Sequence, residues 1–135
     1  MMDKGLLGKK SGKGFYDYAK EGLNVSGEAK RLAPKNKDLL DKDIVNRCLL
    51  IMVNEAARCL EEKVVTSPAH IDMAMILGAG FPPFRGGLLK YADEKRLEKI
   101  MEAMLFFRKN YGTRFDPVPL ICELASKNKT FYGGC

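Results

Sequence analysis

The sequence lacks the residue patterns from which most enzymes assemble an active site. It contains one histidine, His70, and no Ser or Cys nucleophile or further metal ligand is spaced to act with it. We therefore predict that His70 is an exposed surface residue. The four cysteines form no CxxC pair, which favours reduced, buried thiols in a reducing compartment over disulfides or a zinc site. No apolar run approaches the roughly 18 residues of a membrane span, so the chain is predicted to hold no catalytic residue, metal site or membrane span.

Two glycine-rich stretches fail the tests for a nucleotide-binding loop. A phosphate-binding loop has the form G-x-x-x-x-G-K-[ST] between a strand and a helix. Here Gly8 and Gly12 enclose three residues, and the lysine that follows precedes another glycine. The pair Gly78 and Gly80 lacks the third glycine of a dinucleotide fingerprint, because Pro83 occupies that position. We predict that this chain binds no nucleotide cofactor by itself.

The net charge of +6 is concentrated in the N-terminal part of the chain. Residues 1–37 hold nine Lys and Arg against four Asp and Glu, whereas residues 38–135 hold fourteen against thirteen. A basic segment suits nucleic acid, an acidic partner or a polyphosphate, but these basic residues are scattered among Gly, Ser and Asn. We therefore favour a solvated linker over a nucleic-acid interface. The predicted organisation is a Gly-rich segment at 1–18, a linker at 19–40 and one helical domain at 41–135.

Apolar residues recur with helical spacing through the predicted domain, and no strand is required there. Capping residues and glycines mark the ends of the helices. The predicted helices are 41–63 with Asp41 as its cap, 67–78 with Ser67 as its cap and Gly78 at its end, 88–92, 93–110 with Asp93 as its cap, and 116–125 with Asp116 as its cap. The predicted fold class is therefore all-α.

Asn46 is the polar exception within the wide apolar arc of the first predicted helix. Its helical angle places it beside Leu50 and Val53, and a polar side chain buried there needs a partner. It either bonds the local backbone in the first turn of the helix, or it faces a ligand. The opposite, polar face of the helix is predicted to contain Arg47 and Asn54.

Residues 78–87, Gly-Ala-Gly-Phe-Pro-Pro-Phe-Arg-Gly-Gly, form the stretch around which the predicted helices are organised. Its glycines permit positive φ or close backbone approach, and its paired prolines fix φ. We expect a rigid connector between two helices. Phe81 and Phe84 are too apolar for an ordinary solvated loop, so they are predicted to plug either the helical core or a partner surface.

Three motifs, in this order and spacing, make the chain resemble one protein family. They are Gly8–Tyr18, then Asn46-Arg47 through Asn54-Glu55-Ala56, and finally Ile71-Asp72 with Gly78–Gly87 and Asp93. The first resembles the glycine-rich segment that closes the first helical C-terminal unit of 3-hydroxyacyl-CoA dehydrogenases. The second resembles the family's first-helix signature, and the third resembles the second, tandem unit of the multifunctional enzymes of fatty-acid β-oxidation. The resemblance implies a helical bundle of the 6-phosphogluconate dehydrogenase C-terminal-like type, with residues 1–18 as the end of a preceding helical unit.

The resemblance also implies a reaction and its partners. Family members oxidise a (3S)-3-hydroxyacyl-CoA to the 3-ketoacyl-CoA, with NAD as the hydride acceptor. A Rossmann domain binds NAD and supplies the catalytic His–Glu pair and a Ser, while the helical region closes over the acyl-CoA and makes inter-unit contacts. This chain contains none of the Rossmann part, so we expect it to bind no NAD and to be inactive alone.

Two residues become candidate substrate contacts through the resemblance. Asn46 matches the family's Asn of the Asn-Arg pair, which in the catalytic first unit reaches towards the substrate and the catalytic His. The Phe-Pro-Pro-Phe-Arg-Gly-Gly loop indicates the second unit, where that position would be mainly structural. Arg85, on the same loop, is either a plain surface charge or a contact for an acidic partner or a CoA phosphate.

Two functions are carried forward from the sequence. The first is the C-terminal helical part of a β-oxidation dehydrogenase, which docks a Rossmann domain and shapes the acyl-CoA site. The second is a non-catalytic module that self-associates or binds another protein, and in either case we expect a homo-oligomer. A nucleic-acid partner is not expected. The expected location is the cytoplasm of a bacterium, or an organelle matrix in a eukaryote.

Overall fold

The computed structural model describes residues 1–19, 22, 24–33 and 40–133, and it divides the chain into two compact units, Met1–Leu39 and Leu40–Cys135. The smaller unit holds a two-stranded antiparallel sheet of β1 (Tyr16–Asp17) and β2 (Asn24–Val25), followed by helix α1 (Gly27–Leu32). Both β2 and α1 therefore lie within the stretch predicted as a linker. Positions 20, 21, 23 and 34–39 of that stretch lie outside the described residues.

Ser26 connects the glycine-rich segment of the smaller unit to α1. Its hydroxyl donates to the carbonyl of Gly14 at 2.7 Å and accepts the amide of Ala29 at 3.1 Å, which makes it the N-cap of α1. Its own amide donates to the carbonyl of Phe15 at 2.9 Å. The side chain of Phe15 is 70% exposed, so the aromatic end of this segment is not buried within its own unit.

Five helices form the larger unit, and they surround a single apolar core. They are α2 (Asp41–Glu61), α3 (Pro68–Ala79), α4 (Leu88–Lys95), α5 (Leu97–Tyr111) and α6 (Pro119–Ser126). Among the residues that the structure describes, strands occur only as the β1–β2 pair, and the predicted all-α class is confirmed. No helix in the described part of the chain is long and apolar enough to cross a membrane.

Helix α2 lies at the centre of this unit because it contacts α4, α5 and α6. Its buried face includes Val53 and Ala57, which are 1% and 0% exposed. Leu89, Met104 and Ile121, one from each of those three helices, are also completely buried. The rings of Phe107 on α5 and Phe115 just after it pack with their centroids 5.4 Å apart.

The N-terminal cap of α3 is confirmed, whereas its predicted end is wrong. The hydroxyl of Ser67 accepts the amide of Ala69 at 3.3 Å, and Pro68 occupies the first helical position. Gly78 remains helical, and Gly80, with φ 69°, forms the left-handed cap. The amide of Phe81 then donates to the carbonyl of Met75 at 3.0 Å, which closes the helix two residues later than predicted.

Three predicted N-caps are also wrong. Asp41 is the first residue of α2, and Leu40 occupies the cap position. Asp93 lies inside α4, because the chain breaks only at Arg96, whose φ is 69°. Helix α6 begins at Pro119 rather than after Asp116, since Asp116 is held in an extended segment.

The apolar arc predicted for α2 is correct from Leu49 to Leu60, whereas Val45, Cys48 and the polar face predicted at Asn54 are wrong. Asn54, assigned to the polar face, is only 4% exposed because the segment that follows Phe115 lies over it. Val45 is 54% exposed, and Cys48 is exposed as well. The buried thiol predicted at Cys48 is therefore wrong.

The connector at residues 78–87 separates its two phenylalanines. Phe81 is 8% exposed and packs edge-on against Tyr91, with ring centroids 6.3 Å apart, whereas Phe84 is 84% exposed. A short 3-10 turn, Pro83–Arg85, presents Phe84 to solvent. One aromatic thus fills the core, as one of the two predicted alternatives required, and the other forms a protruding surface residue.

Candidate functional site

Asn46 lies half-buried in the N-terminal half of α2, with its side-chain amide free of hydrogen bonds to any residue the structure describes. The next residue, Arg47, places its guanidinium carbon 4.4 Å from the centroid of the Tyr111 ring. Ile44 and Val45 beside it are 47% and 54% exposed. The local-backbone alternative for Asn46 therefore has no supporting contact among the described residues.

Arg85 lies on the exposed connector, far along the chain from Asn46, and its guanidinium rests over aromatic rings. The guanidinium carbon is 5.2 Å from the centroid of Tyr91 and 5.6 Å from that of Phe84. The Lys95 ammonium lies 5.6 Å from the same Tyr91 ring. Neither cation forms a salt bridge within the described residues. Each is therefore held by weak cation–π contacts and is available to an anionic partner.

Two apolar clefts open on the larger unit, and neither contains Asn46 or Arg85. The first, of about 360 Å³, lies between α2 and α6 and is lined by Leu60, Lys63, Val65, Thr66, Pro68, Leu120, Leu124, Thr130 and Phe131. The second, the α2–α3 cleft, has a volume of about 310 Å³ and is lined by Met52, Glu55, Ala56, Cys59, Val65, His70, Ile71, Ala74, Met75 and Leu88. Both are large enough for an apolar group.

His70 is exposed, as predicted, and the fold places it at the α2–α3 cleft together with Cys59. No sequence pattern indicated this proximity. The two side chains form no hydrogen bond with each other in the described structure. Cys48, Cys59 and Cys122 are free thiols, and no group of three metal-ligating side chains occurs in the described ranges.

Asp72 is the most deeply buried carboxylate of the larger unit and caps α4. It is 3% exposed, and its two oxygens accept the amide of Leu89 at 2.6 Å and the amide of Lys90 at 3.0 Å. The hydroxyl of Tyr132 donates to the same carboxylate at 2.7 Å. Asp72 thus satisfies the free amides at the start of α4 and fixes the end of the chain against it.

Asp93 holds the same C-terminal segment from the other end of α4. Its carboxylate accepts the amides of Phe131 and Tyr132 at 2.9 and 3.2 Å. Burial raises the pKa of Asp93, and the two amide hydrogen bonds oppose this rise. Phe131 is 4% exposed, so the pair of aspartates directs this aromatic into the core.

Asn54 joins α2 to the segment before α6. Its side-chain amide donates to the carbonyl of Asp116 at 2.7 Å, and its oxygen accepts the amide of Val118 at 2.9 Å. Asn54 and Asp72 were not predicted to have a role of their own, and Asp93 was predicted only as an N-cap. Their presence in the second and third recognised motifs was the available signal, and it marks residues that fix the geometry of the fold.

Tyr132 provides a test of the Asp72 contact. Burial, the hydrogen bond to Asp72 and the charge of that carboxylate raise the pKa of Tyr132 to about 12. Since the unfolded tyrosine ionises near its ordinary pKa of 10, the stability that Tyr132 contributes is complete below pH 10. It is lost as the pH rises towards 12.

Replacing Tyr132 with Phe should therefore lower the free energy of unfolding by about 1 kcal/mol at neutral pH. Spectrophotometric titration of the five tyrosines should show a late phenolate in the wild type that is missing from Tyr132→Phe. Tyr18→Phe, in the smaller unit, is the matched control and should retain that late phase. An identical titration of wild type and Tyr132→Phe above pH 10 would contradict the contact.

The sequence of the larger unit matches a known protein family. The family described as "3-hydroxyacyl-CoA dehydrogenase, C-terminal domain" matches residues 44–131, from the first turn of α2 to the Phe131 that Asp93 holds. The chain belongs to this family.

The similar proteins share one name, and each is much longer than this chain. The chain is 40% identical to the fatty acid oxidation complex subunit alpha of Vibrio parahaemolyticus over 98% of its own length and 19% of that protein. It is 43% identical to the subunit of the same name from Vibrio cholerae, over 93% of this chain and 18% of that protein. For Shewanella amazonensis the identity is 39%, with the same coverage. The chain thus spans about a fifth of the length of these curated relatives.

Proposed function

We propose that this chain supplies the C-terminal helical part of an NAD-dependent 3-hydroxyacyl-CoA dehydrogenase of fatty-acid oxidation. The observation that carries the proposal is the family match over residues 44–131, which covers almost the whole described core of the larger unit. The relatives' name, fatty acid oxidation complex subunit alpha, supports the pathway. The location that follows is the cytoplasm of a bacterium, or an organelle matrix in a eukaryote.

The chemistry belongs to a Rossmann domain that is not among the described residues. That domain would bind NAD, which would accept the hydride from the 3-hydroxyacyl-CoA. The described glycines do not fit a dinucleotide, because Gly8 pairs with Lys13 in an isolated antiparallel bridge and Gly80 ends a helix. In the proposed division of labour, residues 1–18 are the end of a preceding helical unit. Residues 19–40 connect that unit to the second one, which residues 41–135 form.

Asn46 is the proposed acyl-CoA-facing residue of this unit. Its amide has no hydrogen-bond partner among the described residues, and two exposed apolar residues, Ile44 and Val45, precede it on the same helix. A half-buried amide with unused donors and an unused acceptor suits a thioester carbonyl or an amide of the CoA arm. Arg85, with no carboxylate partner in the described structure, is the proposed contact for a CoA phosphate.

The test is titration calorimetry of the purified chain with NADH and, separately, with acetoacetyl-CoA, together with a turnover assay. We expect no heat with NADH, no turnover and weak binding of acetoacetyl-CoA. Arg85→Ala should weaken that binding further, whereas Arg114→Ala, also an exposed arginine, should not. Clear NADH binding or turnover by this chain would overturn the proposed division of labour. Equal effects of the two arginine variants would overturn the proposed contact between Arg85 and CoA.

The second candidate function is a non-catalytic module that self-associates. The observation that favours it is Phe84, which is 84% exposed on a connector whose backbone is fixed. Protruding aromatics beside arginine are characteristic of the centres of protein interfaces. The two functions are compatible, because a helical unit that shapes an acyl-CoA site can also join two copies of the protein.

A further inference from the structure

We propose that two copies of this chain associate by inserting Phe84 and Arg85 of one copy into the α2–α3 cleft of the other. This inference deepens the self-association described above by naming the contact, and it does not depend on dehydrogenase activity. The inserted group, Phe84 and Arg85, is called the tip below. The tip matches the cleft in polarity and charge, and its rigid backbone favours insertion.

The tip is preorganised for insertion. The amide of Arg85 donates to the carbonyl of Pro82 at 3.1 Å, and that of Gly86 donates to Pro83 at 2.9 Å, so the 3-10 turn is fixed. The adjacent prolines restrict the backbone further. A rigid exposed aromatic loses little conformational entropy on binding, which favours association. With 84% of Phe84 in water, its burial would also remove apolar surface from solvent.

The charge at each cleft distinguishes the two possible receiving sites. The cleft between α2 and α6 carries Lys63, which would repel Arg85, and Phe131 is one of its lining residues. The α2–α3 cleft carries Glu55. The Glu55 carboxylate is 65% exposed, and its one ion pair in the described structure, to Arg58 at 3.8 Å, is of the weak surface kind. Glu55 can therefore accept Arg85 of the partner copy.

The α2–α3 cleft has the lining that an aromatic ring requires. Its volume of about 310 Å³ is bounded by Met52, Ala56, Ile71, Met75 and Leu88. The two methionines are flexible and polarisable, so they adjust to an inserted ring and make favourable sulfur–aromatic contacts. Leu88 follows the tip closely in the chain, so each copy carries tip and cleft on neighbouring parts of its surface. A two-fold dimer would then form both insertions at once.

The experiment is sedimentation equilibrium of the full chain over a concentration series without ligand. CoA compounds are omitted because Arg85 cannot pair with a phosphate and with Glu55 at once. We expect wild type to associate reversibly. Phe84→Ala, Arg85→Glu and Glu55→Arg should each weaken association at least tenfold, roughly what loss of an interface anchor causes. Phe106→Ala, which removes another exposed aromatic (62%) on α5, should leave association unchanged.

The decisive sample is an equimolar mixture of Arg85→Glu and Glu55→Arg. In a mixed dimer each of the two contacts again joins one positive and one negative side chain. Association should therefore return to near the wild-type level. Circular dichroism of each variant confirms that it is folded. A monomeric wild type would overturn self-association and the contact together. A wild type that associates, with Phe84→Ala behaving identically or with no recovery in the mixture, would overturn the contact alone.

Discussion

Replacing Gly87 with Ala should remove most of the stability of the larger unit. Gly87 precedes α4 with φ 118° and ψ 175°, a conformation that only glycine adopts without strain. A Cβ atom at this position would lie 2.2 Å from Cβ of Asp72, which is buried and cannot move away. Backbone strain and the displaced Asp72 together should cost about 4 kcal/mol or more of the free energy of unfolding.

Urea denaturation followed by circular dichroism measures this loss, with Gly80→Ala as the matched control. Gly80 also has a positive φ, 69°, but an added Cβ there would meet nothing within 4 Å. Its replacement should cost only the strain of a left-handed residue, about 1 kcal/mol. Similar losses for the two variants would mean that the close approach to Asp72 does not determine the behaviour of Gly87.

Asn54→Ala should give the second large loss, about 3 kcal/mol. The substitution removes two buried hydrogen bonds and leaves the amide of Val118 without an acceptor in a site that is almost inaccessible to water. Because these bonds join residues far apart in the chain, the segment before α6 would also lose its position on α2. The measurement is again the urea midpoint, read together with the slope of the transition.

Asn46→Ala is the matched control for Asn54→Ala, because both asparagines lie on α2. Since Asn46 has no hydrogen-bond partner in the described part of the chain, its loss should change stability by less than about 0.5 kcal/mol. If Asn46→Ala proved the more damaging of the two, the roles assigned to these residues would have to be exchanged.

The same pair of asparagines shows what the sequence can and cannot predict. Helical periodicity predicted a helical larger unit and the all-α class correctly, because it records which residues avoid water. It placed Asn54 on a polar face, because the segment that buries this residue lies 62 positions away. Periodicity divides a helix into one apolar and one polar face. It cannot show that a segment distant in the chain covers the polar face.

The predictions of the helix ends failed for a similar reason. Asp93 and Asp116 have the residue type and the neighbours of N-caps, yet the carboxylate of Asp93 binds the C-terminal segment and the carbonyl of Asp116 binds Asn54. Tertiary hydrogen bonds thus replaced the local ones that the capping rules assume. The candidate contacts Asn46 and Arg85 rest on the resemblance and stay predictions until the calorimetric test.

The hydrogen bonds from Asp72 and Asp93 to the C-terminal segment have a consequence for biosynthesis. Residues 131 and 132 are made after most of the helices they stabilise, so α2 to α5 leave the ribosome before the carboxylates of Asp72 and Asp93 receive the donors of Tyr132 and Phe131. Until then the nascent unit exposes apolar surface that later belongs to its core. Closure of this unit therefore waits for residues 131 and 132, and the waiting intermediate is the form that chaperones would recognise.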